Sequence, residues 1–262
     1  MNKLQEIFNR IQNIFQNDFA NNRTIEIIQK LREGTMAVVP HPKSDSLTIQ
    51  EMNEALQNGT FLIQGTAFAV SSNQFITCNH VIESFLDTHE IFLHGHIEQA
   101  TGPPSIIHHV SSIQADPELD LALMETDKLQ GEVRPIKFEK EFPPTGLNIL
   151  AVGFPLPEHT VLIDENRRIN IDVTGIFRVI KGIVATKLAD GLHFEIDKLV
   201  NEGQSGGPVV SLKSGDLIGM CQAFRHYPSI IGTQNVTIVA DLSICLSADA
   251  IRKKLIEWDC EI

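Results

Sequence analysis

The segment Gly203-Gln204-Ser205-Gly206-Gly207-Pro208 sets a serine among glycines, and two upstream segments carry the partners such a serine would need. A serine hydroxyl barely ionises at neutral pH. To act as a nucleophile it needs an adjacent base, a group that orients that base, and donors for the oxyanion that develops. Thr77-Cys78-Asn79-His80 offers the base and Asp120-Leu121-Ala122-Leu123 the orienting acid. Gly203 permits a tight turn that aims successive amides at one point, so the amides of Gly203 and Ser205 are the oxyanion-hole candidates. Gly206 and Gly207 leave room for a substrate carbonyl. His80 closes the strand-like run Phe75-Ile76-Thr77-Cys78, which places its imidazole at a strand end. Asp120 leads into the buried-strand pattern Leu121-Ala122-Leu123-Met124, at an edge where a carboxylate can fix the His80 tautomer.

Each role has a rival. Asp116 is the other acid, but it precedes Pro117 outside the apolar strand and reads as solvated or as a turn cap. Cys78 lies on the strand of the base rather than across a cleft from it, which disfavours a cysteine nucleophile. His94, His96, His108 and His109 are expected on a solvated strand–loop–strand excursion rather than around a metal ion. No cofactor is called for.

The patterns "FITCNHVI", "DPELDLALM" and "NEGQSGGPVV", in that order, resemble the trypsin-like (chymotrypsin-fold) serine peptidases, and within them the bacterial HtrA-like protease domain. Gly65-Thr66-Ala67-Phe68, Val152-Gly153-Phe154-Pro155, Gly182-Ile183-Val184 and Gly219-Met220-Cys221 extend the likeness over roughly residues 36 to 246. The resemblance implies two six-stranded antiparallel β-barrels and hydrolysis of protein substrates through a Ser205–His80–Asp120 triad. It implies a primary substrate pocket lined by Leu199, Val200, Gln222, Ala223 and Phe224. Leu199 stands where trypsin relatives that cut after Arg or Lys carry a carboxylate, so a small or medium apolar side chain is expected, with a basic one still open through Asp197 and Glu202. Gln204 and Glu202 depart from the family pattern. A neutral Gln204 cannot pair with a cleaved amino terminus, so activation by clipping near Met36 is not expected. The same departures keep a second reading open, a catalytically silent trypsin-fold module that holds a peptide.

Similar cytosolic peptidases accompany bacterial antiviral defence and cell-death modules, and HtrA-like chains often continue into a PDZ module, so substrate recruitment here is expected from elsewhere. With 33 acidic against 21 basic residues the net charge is −12, which argues against nucleic acid and would repel acidic substrates. Apolar runs stay below the ~18 residues of a membrane span, and the N-terminus lacks the unbroken apolar core of a signal peptide. Four scattered cysteines, none directly after His80, suit reduced thiols and a cytoplasmic location.

The elements follow from periodicity. Leu4, Ile7, Phe8, Ile11, Ile14, Phe15 and Phe19 predict an amphipathic helix over 3–20, and a second runs from Thr24 to Arg32, stopped by Gly34. This N-terminal helical arm (1–35) either packs on the barrels or docks a regulatory partner. The first barrel (36–135) has strands at 37–39, 61–70, 75–78, 91–93 and 121–124, with an insertion at 41–59. The second (136–246) has strands at 149–152, 180–184, 194–196, 209–210, 218–223 and 236–240, with a hairpin turn at Lys213-Ser214-Gly215-Asp216. Ile251, Leu255, Ile256 and Trp258 predict a C-terminal helix over 248–257 capped by Ser247, within the closing segment 247–262.

Overall fold

The computed structural model describes residues 22–43, 63–95, 107–127, 133–155, 158–163, 169–174, 176–231 and 234–260. The helix expected over 3–20, most of the 41–59 insertion and His96 lie outside the described residues.

Short strands joined by turns form two closed six-stranded antiparallel barrels. The first holds β1 (Thr35–Pro42), β2 (Gly65–Ala69), β3 (Gln74–Thr77), β4 (His89–Gly95), β5 (Ile107–Asp116) and β6 (Leu121–Thr126), in the order β1-β2-β3-β6-β5-β4. The second is built from β7 (Asn148–Gly153), β10 (Arg178–Lys187), β11 (His193–Ile196), β12 (Pro208–Ser211), β13 (Leu217–Ile231) and β14 (Gln234–Ser247), in the order β10-β11-β14-β13-β12-β7. Between β7 and β10 a separate hairpin pairs β8 (Glu158–Ile163) with β9 (Ile169–Thr174). The helices among the described residues are α1 (Asn22–Gly34), the single turn α2 (Asn79–Ile82) and α3 (Ala248–Glu257).

Strand alternation in the second barrel serves two cores at once. Ile149 and Ala151 of β7 point into the barrel with Phe194, Val209, Ile218 and Cys245. Leu150 and Val152 point the other way and join Val210, Met220 and Leu246 in a larger core shared with the first barrel and α3. A strand buried on both faces reads as a continuous apolar run, which is why Ile149-Leu150-Ala151-Val152 was recognisable. α3 buries Ile251 and Leu255 one turn apart, and Ser247 caps it by accepting from the Ala250 amide at 3.3 Å. α1 buries Ile27 and Leu31 in the same way, and it ends where a Cβ on Gly34 would sit 2.2 Å from the Arg134 carbonyl oxygen.

Two elements depart from expectation. β5, a first-barrel strand that was not expected, has Ile-His-His-Val-Ser-Ser-Ile-Gln-Ala-Asp as its sequence and buries His108 and Val110. Its inward positions include a histidine, which hides the period of two. His94 is not solvated either. Its ring stacks on His41 at 6.0 Å, its Nε2 is buried without a hydrogen-bond partner among the described residues, and burial followed by the nearby His41 lowers its pKa from 6.5 to about 4.

A folded-state pKa below the unfolded value means that the unfolded chain binds more protons in between. Stability is therefore complete above about pH 6.5 and declines as pH falls towards 4, by ~3 kcal/mol at most from this one group. Burial also lowers the pKa of His41, against the pull of Glu90, and works in the same direction. Denaturant unfolding at pH 7 and 4.5 is expected to show this loss, and His94→Leu to remove most of it; an unchanged pH slope in that variant would contradict the assignment.

Candidate active site

β3 delivers the base. Cys78 is still extended, at φ −74° and ψ 144°, and the single turn α2 then swings His80 out at the strand's end. Asp120 holds it twice. One carboxylate oxygen, Oδ1, accepts from the His80 backbone amide at 2.9 Å and the other, Oδ2, faces Nδ1 at 2.7 Å. An ionised carboxylate only accepts, so the ring proton sits on Nδ1 and Nε2 is left as the basic nitrogen. The hydrogen bond to Asp120 raises the His80 pKa above 6.5, against a smaller opposing effect of burial. Asp116 serves otherwise. Its carboxylate caps the amides of Glu118 and Leu119 at 3.0 Å and pairs with Lys254 at 2.8 Å.

Asp120 reaches this position from a left-handed backbone at φ 49°, which non-glycine residues seldom adopt. Gln222 of β13 supports it from the other barrel. Its Nε2 donates to the Leu119 carbonyl at 2.7 Å and the Asp120 carbonyl at 3.2 Å.

Two consecutive turns present Ser205. Asn201 O accepts from Gln204 N at 3.0 Å with Gly203 at φ +89°, and Gln204 O accepts from Gly207 N at 2.8 Å with Gly206 at φ +82°. Both glycines are required by space as well as by φ: a Cβ on Gly203 would lie 2.5 Å from Phe154 O, and one on Gly206 2.0 Å from Thr66 O. Thr66 of the first barrel fastens the loop. Its Oγ1 donates to Gly203 O at 2.7 Å and its amide donates to Ser205 O at 2.8 Å. Among the described residues the amides of Gly203 and Ser205 donate to nothing, which leaves both for an oxyanion. Gln204 is fully buried, and its side-chain Oε1 accepts from the Asn201 amide at 2.9 Å. An uncharged side chain thus closes the first turn a second time.

Ser205, His80 and Asp120 line one cleft of about 330 Å³, together with Val200, Asn201, Glu202, Gln222, Ala223 and Phe224. The Ser205 hydroxyl donates to Gln222 O at 3.2 Å. Leu199 does not line this cleft; it is half-buried and its amide is held by Asp241. Asp197 is occupied by the Ile183 amide and Lys198, whereas Glu202 is exposed at the cleft. Cys78, His80 and Asp120 bring one sulfur, one nitrogen and one oxygen within 4.8 Å of one another. The Cys78 thiol is fully buried, burial pushes its pKa well up, and it donates to Cys221 O at 3.3 Å. A protonated thiol behind a closed His–Asp bond is inert as a nucleophile.

Residues 65–220, more than half of the chain, match the trypsin-like peptidase domain. The chain belongs to this family. The peptidase also shares its fold with solved structures. A serine endoprotease from Yersinia pestis superposes with a TM-score of 0.57 at 18% identity, over 90% of this chain and 65% of that one. The M. tuberculosis protease Rv3671c, in an inactive form, gives 0.55 at 17% identity, over 88% of this chain and 92% of that one. The peptidase thus spans just under two thirds of the Yersinia chain, and it matches no curated protein in sequence. No helix among the described residues is long and apolar enough to cross a membrane.

Sequence reasoning gave Thr66 no role and expected Gln222 as a lining residue of the substrate pocket, whereas its side chain bonds the Leu119 and Asp120 carbonyls. Thr66 stood within the Gly-Thr-Ala-Phe likeness, but its partner Gly203 is 137 positions away.

Proposed function

We propose that this serine endopeptidase cleaves protein substrates through an acyl-enzyme with Ser205, His80 and Asp120 as its triad. The observation that carries the reading is the two-point grip of Asp120 on His80, at 2.9 and 2.7 Å, in the cleft that also receives Ser205. Ser205 Oγ attacks the scissile carbonyl while His80 Nε2 takes its proton, and Asp120 stabilises the imidazolium. The amides of Gly203 and Ser205 receive the oxyanion. His80 then protonates the leaving amine, the oxyanion collapses back to a carbonyl, and the peptide C–N bond breaks to leave the acyl ester on Ser205. Water, deprotonated by His80, hydrolyses the ester and restores Ser205.

Val200, Ala223 and Phe224 give the cleft an apolar lining, which supports a small or medium apolar side chain as the preferred residue. A peptide-library profile is expected to show that preference; dominance of Arg or Lys would replace it with recognition by Glu202. Four buried free thiols support a reducing, intracellular setting. Placement in a bacterial antiviral defence or cell-death module rests on the family resemblance. Control through the helical arm has a physical route, since Ile27 of α1 packs at the Gly215 turn that ends the strand following Ser205.

One observation favours a silent peptide-binding module: the Ser205 hydroxyl is turned to Gln222 O rather than to His80. A fluorophosphonate probe separates the readings. Ser205-dependent labelling is expected; no labelling with or without candidate partners would select the module.

A further inference from the structure

Gln222 touches both ends of the proton pathway by different atoms. Its carbonyl oxygen accepts from Ser205 Oγ at 3.2 Å, while its side-chain amide donates to Leu119 O and Asp120 O at 2.7 and 3.2 Å. The residue is 7% exposed and links positions 102 and 103 apart in the chain. We infer that the Gln222 side chain is a positioning residue that ties β13, the strand bonded to the Ser205 loop, to the acid's loop and so sets the distance between Ser205 and the His80–Asp120 pair. This rests on the proposed triad and adds a specific residue to it.

Three observations converge on that role. Among the described residues both oxygens of the Asp120 carboxylate bond to His80 of the first barrel, and it is the Asp120 carbonyl that is bonded from the second. The backbone at Asp120 is left-handed and held locally by one long turn bond, Asp120 N to Pro117 O at 3.3 Å, which leaves its carbonyl to be fixed from outside. The residue that fixes it lies in β13 at a register shift between Cys221 and Ala223, where the strand kinks and gives Gln222 an orientation that regular pairing would not. The side chain is thereby spent on backbone carbonyls rather than on substrate. Its main-chain carbonyl is the contact for Ser205.

Two roles are therefore separable. If the side chain positions the acid, its loss lowers kcat; if it binds substrate, its loss raises KM. Gln222→Met keeps the length and removes both donors, and Gln222→Asn keeps an amide that is one methylene too short to reach. The measurements are kcat and KM on one cleaved peptide, and the His80 titration followed by NMR in the free protein. In both variants kcat is expected to fall ~10- to 100-fold with KM within ~3-fold, as expected when reacting groups are displaced by about an ångström. The His80 pKa is expected to drop towards 6.5 as its bond to Asp120 loosens. A raised KM with unchanged kcat and unchanged His80 titration would overturn the inference. Should Gln222→Met not fold, Gln222→Asn decides by the same readings. The His80 titration needs no turnover: a peptidase that hydrolyses nothing defeats the proposed function, whereas an unmoved His80 pKa defeats the role of Gln222.

Discussion

Ser205→Ala is expected to lower kcat about 10⁶-fold and to abolish fluorophosphonate labelling, with the fold intact. Removing one hydroxyl takes away the proposed nucleophile, and no ester can form without it. Residual turnover would come from the oxyanion donors and from substrate binding, and amounts to ~10³- to 10⁴-fold over water. His80→Ala should cost nearly as much as Ser205→Ala, and the double variant hardly more than either, because groups that act as one unit are not additive. Active-site titration against the parent measures this directly. Independent, multiplying losses in the double variant would mean that Ser205 and His80 do not work together.

Asp120→Asn is expected to cost about 10⁴-fold in kcat for a reason the geometry makes specific. The His80 backbone amide donates to Asp120 Oδ1 at 2.9 Å. In the variant that amide recruits the remaining carbonyl oxygen, and the NH₂ group is left facing Nδ1 at the position of the 2.7 Å bond. An NH₂ donor there forces the ring proton onto Nε2, and an Nε2–H cannot accept the proton of Ser205. The carboxylate also raises the His80 pKa through that bond. The acid limb of kcat/KM in the parent is therefore expected above pH 6.5, because activity needs neutral imidazole and a raised pKa keeps it protonated to higher pH. In Asp120→Asn the limb moves down while the plateau collapses. An acid limb unchanged between parent and variant would remove Asp120 from the role of orienting acid.

Much of this was legible before any fold was in view, because the signals were local. Ile149–Val152, Val209-Val210 and Ile218–Cys221 are mostly apolar runs buried on both faces, and such runs announce strands whatever surrounds them. Ser247 ahead of a period of four announced α3. β5 was obscure because a buried histidine stands at one of its inward positions, and the β8–β9 hairpin was left without strands. His94 was misjudged for a similar reason: polarity in the alphabet does not reveal that a ring will stack on His41. In the candidate site, three side chains and two amides could be proposed from motif order. The groups that hold them could not. Thr66 and Gln222 act across more than a hundred positions and across the two barrels, and nothing in their neighbouring residues carries that information. Gln204 was recognisable as a departure from the family, but its turn inward onto the Asn201 amide is a property of the packed loop.

Thr66 belongs to one barrel and grips the Gly203 and Ser205 carbonyls of the other, so the loop that carries Ser205 takes its shape from a strand it does not belong to. Cut between the halves, the molecule would yield a fragment that owns the hydroxyl without the scaffold that aims it. Evolution could exchange the outer loops of such a protein freely, but the pair of halves would have to be inherited together.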